Sequence, residues 1–177
     1  MTHEQAKNGH LHAFQAELLD RIESAQAGPD KHNSRLGVVV GGHHCLIDLR
    51  EVSGIIDLMP IINRVPLTRD WYLGLANVDG NLIGVVDLAR FCGGEQQVRD
   101  KDSRVIVTSS VVPVACGFLV SRALGLRHTQ EMALQENAGG VAMRIAARPY
   151  LDRSRQEWAE LSLTAIVDDT RFLQVGL

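Results

Sequence analysis

The sequence is poor in aromatic residues, carries little net charge and contains no long apolar run. Aromatics make up 5% of its 177 residues, and the formal net charge is −3. Such a surface offers few rings for base stacking and no basic field for phosphates, so nucleic-acid binding is not expected. No window approaches the roughly 18 consecutive apolar residues of a membrane span. Met1 to His12 is polar, with His and Glu where a secretory signal needs a basic start and an apolar run. The expected location is therefore the cytoplasm, without membrane insertion.

Catalytic signatures are also missing. There is no dinucleotide fingerprint, phosphate-binding P-loop, nucleophile elbow or His-Glu-x-x-His pair. Gly41-Gly42 and Gly93-Gly94 lack the Lys-Ser/Thr of a phosphate cradle, and Gly139-Gly140 reads as a turn. His3, His10 and His12 lie near a chain terminus, where order is weakest, so no metal site is assigned. Asp48, Asp57, Asp79 and Asp87 fall at strand ends or turns, and solubility and turn formation are their expected roles. Cys45, Cys92 and Cys116 are odd in number and widely spaced, with no Cys-x-x-Cys, which predicts buried, reduced thiols. A competing enzyme reading would use Cys45 with His43 or His44. Strand neighbours point to opposite faces, so His44 should not reach the thiol, and His43 could do so only from a bulge or turn. No catalytic residue, metal or cofactor is expected.

What is present is a globular composition, 45% apolar and 22% charged, of a length that suits one domain or two small ones. Leu11, Phe14, Leu18, Ile22 and Ala25 recur at helical spacing, with Leu19 beside them and Glu17, Asp20, Arg21 and Glu23 off the stripe. This predicts an amphipathic helix over residues 11–26, stopped by Gly28-Pro29. A polar linker follows to Arg35. From Leu36 the texture becomes short β-branched runs between turn signals. Asp79-Gly80 between Trp71–Val78 and Leu82–Leu88 predicts a tight hairpin. One helical turn is expected over Leu88–Phe91, and Glu95–Arg104 reads as a linker-like loop. Val105–Val107, Val111–Val114, Cys116–Val120 and Val141–Ala147 read as strands. Leu161 to Val167 reads as a short C-terminal helix, and Phe172 to Val175 as an apolar tail. Closely spaced strands without helix alternation predict an all-β sandwich or barrel. A weak echo between the runs before Gly93 and after Arg104 suggests two small barrels.

The stretch from Cys45 to Gly94 carries a more specific pattern. Ile47-Asp48 with Val52 comes first, then Ile62-Asn63-Arg64-Val65-Pro66. Gly74-Leu75-Ala76-Asn77, Gly80 and Val85-Val86-Asp87-Leu88 follow. Arg104–Val107, Gly117–Val120, Leu124–His128 and the C-terminal Trp158 continue it. This resembles the CheW-like adaptor domain, and is most like its PilI branch, adaptors of the chemosensory system that controls type IV pili and twitching motility. The resemblance implies two SH3-like five-stranded β-barrels over residues 36–177, about 36–94 and 95–177 with strands possibly exchanged. Residues 1–35 would be a separate helix and linker. It also implies a non-catalytic adaptor joining the cytoplasmic tips of chemoreceptors to the regulatory domain of a CheA-type histidine kinase, recruited to membrane receptor arrays.

By the same resemblance Val52, Ser53, Gly54 and Ile55 form the expected kinase-docking strand, and Asn77, Val78, Asp79 and Gly80 the expected receptor-coupling turn. Two departures fall on these loci. Asp79 stands where the family usually has Arg, which reverses a charge and removes a planar five-donor group. Gly54 stands where Glu is usual. Gly84 for Pro and Ser121 for Asp are lesser departures. Partner surfaces that differ in step, or an adaptor that has lost one coupling and acts as a spacer or competitor, would both account for them. So would Asp79 serving only as a better turn residue. A two-barrel interaction module outside motility is the remaining alternative.

Overall fold

The computed structural model describes residues 34–57, 62–135 and 146–177. The amphipathic helix expected over 11–26 and most of the strand expected over 141–147 lie outside them. Eleven strands are present among the described residues: β1 (Ser34–Val40), β2 (His43–Asp48), β3 (Val52–Asp57), β4 (Tyr72–Val78), β5 (Asn81–Asp87), β6 (Arg104–Thr108), β7 (Cys116–Val120), β8 (Arg122–His128), β9 (Ala133–Leu134), β10 (Ala146–Leu151) and β11 (Glu157–Leu161). Three short helices accompany them: α1 (Leu88–Phe91), α2 (Leu163–Val167) and α3 (Thr170–Leu173).

The strands form two sheets, ordered β8-β1-β2-β11-β10-β9 and β3-β6-β7-β5-β4. The first has one strand more than the expected five, because two-residue β9 joins its outer edge on β10. The sheets do not divide at Gly94. The six-stranded sheet takes both ends of the chain, and the five-stranded sheet takes the middle. Two parallel pairings, β2 with β11 and β5 with β7, and the antiparallel pairing of β1 with β8 are long-range crossings that make this possible.

Why the strand runs are nearly continuous in apolar residues follows from where they pack. In the five-stranded sheet alternate residues face two different cores. Val86, Ile106, Phe118 and Val120 join the large core, which also takes Leu36, Val38 and Ile47 from the other sheet. Val85, Val105 and Leu119 face a smaller cluster with Leu73 and Ala76. Strands buried on both faces lose the polar/apolar alternation of a half-exposed sheet. The helices close the large core with an aromatic group. Trp71 lies 5.0 Å from Phe91 and 5.9 Å from Phe172, and Phe172 lies 5.9 Å from Phe118, centroid to centroid.

Several local expectations change in detail. Leu161 ends β11, and the helix begins only after Ser162, whose hydroxyl caps it by accepting from the Ala165 N–H at 3.2 Å. Phe172 and Leu173 form α3 instead of an irregular tail. Val111–Val114 is a turn, with the Val112 N–H donating to the Ser109 carbonyl at 3.1 Å. The 95–104 segment has no strand or helix until Arg104, but Gln97 and Ser103 within it are buried, so it is not a solvated linker. No helix among the described residues is long and apolar enough to cross a membrane.

Candidate interaction surfaces

The two candidate loci lie on opposite edges of the five-stranded sheet. Among the described residues β3 is one edge strand, paired only with β6. Its register skips at Ser53, where Val52 faces Thr108 and Gly54 faces Val107. Ser53 is the extra residue of a bulge, a device common at sheet edges. Its hydroxyl donates to the Thr108 carbonyl at 2.9 Å. Val52 is buried, Ser53 is exposed, and Gly54 and Ile55 are half-buried. Ile55 packs on the large core and Ile56 on the small one, so side chains on both faces hold β3 in place. A Cβ at Gly54 would meet nothing within 4 Å. The strand ends on a cross-strand ion pair, Arg104 Nε to Asp57 Oδ1 at 3.1 Å.

A buried carboxylate anchors the start of β3 to the far half of the chain. Glu51 Oε2 accepts from the Leu163 N–H at 2.8 Å, and Oε1 accepts from the Thr164 N–H and the Ser162 hydroxyl, both at 3.0 Å. These are first-turn donors of α2, which have no partner within the helix, so the carboxylate satisfies them and fits the positive helix end. Nearby Asp48 caps the 3-10 turn at Leu49–Glu51. Burial raises the Asp48 carboxyl. Hydrogen bonds from Arg50 and the charges of Arg35 and Arg50 outweigh it, and the group lies below the ordinary carboxylate value.

The β4–β5 hairpin occupies the other edge. Its tip has Asp79 at φ 50° and Gly80 at φ 85°, the left-handed pair of a tight hairpin turn. Asp tolerates this region better than a long side chain does, which gives Asp79 a turn-forming role whatever else it contacts. Asn77 Oδ1 accepts from the Gly80 N–H at 2.9 Å and braces the turn. Asn77, Asp79 and Gly80 are exposed, and Val78 is half-buried. At the base of the hairpin Asp87 is fully buried, not a solubilising strand end. It accepts from the Gln97 N–H at 2.8 Å, the Gln97 amide at 3.2 Å and the Arg90 N–H at 3.1 Å. Gln97 in turn donates to the Leu119 carbonyl at 2.6 Å and accepts from the Ser121 hydroxyl at 2.5 Å.

The outer side of β4 is closed along part of its length. Asn63 exchanges two backbone hydrogen bonds with Leu75, at 2.8 and 2.9 Å. The approach is close because Gly74 has no side chain. A Cβ there would sit 2.1 Å from the Asn63 carbonyl oxygen, and the backbone is at φ 132°.

The cysteine-nucleophile reading is overturned. Cys45, Cys92 and Cys116 are buried free thiols, and burial pushes each up to about 12. At neutral pH they stay protonated and unreactive. Cys45 Sγ meets the backbone carbonyl of His43, and the His44 ring stacks edge-on against Trp158 at 5.0 Å. His3, His10 and His12 lie outside the described residues. Within them no cluster of His, Cys, Asp or Glu could hold a metal ion.

Comparison with known proteins accounts for this geometry. A CheW-like domain matches residues 35–154. The chain is 26% identical over 147 residues to Protein PilI of Pseudomonas aeruginosa, covering 81% of this chain and 80% of that protein. It is 27% identical over 112 residues to Chemotaxis protein CheW of Helicobacter pylori, covering 60% and 66%. The scaffolding protein TtCheW from Thermoanaerobacter tengcongensis shares the fold, with a TM-score of 0.65 at 15% identity over 78% of this chain and 94% of that one. With the domain match running over more than half of its length, the chain belongs to the CheW-like domain family, whose members are non-catalytic scaffold proteins.

Proposed function

We propose that this protein holds a CheA-type histidine kinase against the cytoplasmic tips of chemoreceptors, in the chemosensory control of type IV pili and twitching motility. The likeness to PilI over four-fifths of both chains supports the pilus assignment. The observation that carries the coupling role is that the two loci fall on different strands of the five-stranded sheet, β3 and the tip of the β4–β5 hairpin. Among the described residues, an edge strand without an outer partner strand and a hairpin tip end the sheet's pairing order at its two sides, an arrangement that supports one partner at each.

In this reading the kinase regulatory domain docks along β3, through the backbone edge at Val52–Ile55 and the hydroxyl of Ser53. The receptor tip meets Asn77–Gly80. Asp79 presents a carboxylate there, so the complementary receptor surface is neutral or basic. Work of this kind is done in the cytoplasm, at receptor arrays. Calorimetric titration against the regulatory domain of the CheA-type kinase from the same organism tests the proposal. Saturable binding at micromolar Kd or tighter is expected. Absence of binding at high concentration would refute the coupling role and leave the fold intact.

A further inference from the structure

A second surface lies away from both loci, where the C-terminal helix α3 meets β4 and β5. Trp71, Tyr72, Val86, Val114, Phe172 and Leu173 line an apolar groove of about 250 Å3. Beside it the Thr68–Gly176 bridge sets Leu67 opposite Leu177, with the Leu177 N–H donating to the Leu67 carbonyl at 3.0 Å. Leu67, Leu173 and Leu177 are 79%, 70% and 80% exposed. Single exposed leucines are ordinary, but a cluster beside an apolar groove marks a surface that another element covers. Leu67 is also held at φ 59°, a left-handed conformation costly for a branched side chain, and it is spent on presenting an apolar group to solvent.

We propose that this groove seats the chain's own N-terminal segment, residues 11–26, with Leu11, Phe14, Leu18 and Ile22 laid on the groove and its exposed leucines. Those apolar positions share one face at helical spacing. Charge fits as well. Arg64 and Arg69 line the adjoining cleft with Leu67 and make no side-chain hydrogen bond or ion pair among the described residues. The segment's polar positions carry Glu17, Asp20 and Glu23 against one cation, Arg21. Residues 27–33 can span at most about 25 Å. A run of contacts leads from β1 towards the groove: Arg35 pairs with Asp48, the Ser109 N–H donates to the Glu51 carbonyl, and the Val112 N–H to the Ser109 carbonyl. Val114 then lines the groove. This docking is independent of the kinase and receptor reading.

Cross-linking in the full chain tests it. The native thiols are buried and pushed up to about 12, so a short bismaleimide reacts at introduced cysteines. Leu18→Cys with Leu173→Cys should give an internal link at monomer mass in most molecules. Leu18→Cys with Val98→Cys, an exposed position in the 95–104 segment, should give at least tenfold less. A covalent dimer, no link, or equal yield at Val98 would overturn the proposal. As a second measurement, Leu67→Asp with Leu173→Asp should speed proteolysis within residues 1–33 about tenfold while the β-sheet circular dichroism is unchanged. An unchanged cleavage rate would overturn it equally.

Discussion

The two edges of the five-stranded sheet are finished in opposite ways. Among the described residues no strand pairs with the outer edge of β3, which has a bulge at Ser53 and room for a side chain at Gly54. β4 is covered by Asn63, which approaches so closely that only glycine fits at position 74. An open edge offers a row of backbone donors and acceptors to a partner, and natural proteins seldom leave one without a bulge or a cover. A closed edge cannot be used that way, so recognition on the β4 side is pushed out to the hairpin tip. The anchoring differs too. Glu51 ties β3 to α2, more than a hundred residues away, whereas Asp87 ties the hairpin base to Gln97, ten residues on.

Breaking the closed edge should have the largest effect. Gly74→Ala drives a Cβ into the Asn63 carbonyl and strains a positive φ, and should cost about 3–4 kcal/mol. Calorimetric unfolding should show Tm lower by roughly 10 °C for a chain of this size. Glu51→Ala comes next. It leaves first-turn donors of α2 unsatisfied and should cost about 2 kcal/mol, or roughly 6 °C. Unlike Gly74→Ala, it should also weaken kinase binding in a titration, because β3 begins at the next residue.

The tip and the open edge should respond more gently. Asp79→Arg places a long side chain in a left-handed turn and should cost about 1 kcal/mol in chemical denaturation, while Asp79→Asn should change little. If receptor affinity is the same for Asp79→Arg as for the unaltered protein, the carboxylate serves the turn alone. Gly54→Glu has the smallest expected effect. The side chain meets no obstacle, so stability should shift by less than about 0.5 kcal/mol. Kinase affinity should change by no more than roughly fivefold, the range of an exposed charge.

Much of this contrast was legible in the sequence because its signals are local. The Asp79-Gly80 turn, the helical turn after Asp87 and the buried thiols follow from neighbouring residue types and spacing. The anchors were not legible. Asp87 reads as a polar strand end, although a carboxylate just before a helical turn is also a capping signal. Glu51 gives no such clue, since its partners at Ser162–Thr164 come near only after both sheets have formed. Gln97 was hidden for the same reason inside a charged, loop-like stretch. Sheet membership was hidden because strands buried on both faces read alike, and long-range pairings, β2–β11 and β5–β7 in parallel and β1–β8 and β3–β6 antiparallel, decide which core they serve. The Asn63 cover of β4 rests on one residue pair, Asn63 with Leu75, joined by two backbone hydrogen bonds, which Gly74 permits but does not announce.

The separation of the two edges is tested most directly by binding both partners at once. The protein would be saturated with a chemoreceptor cytoplasmic tip and then titrated with the CheA-type regulatory domain. The kinase Kd should stay within about threefold of its value without receptor, giving a ternary complex. Loss of kinase binding on receptor saturation would mean that the partners share one surface, and would contradict assigning them to opposite edges of the sheet.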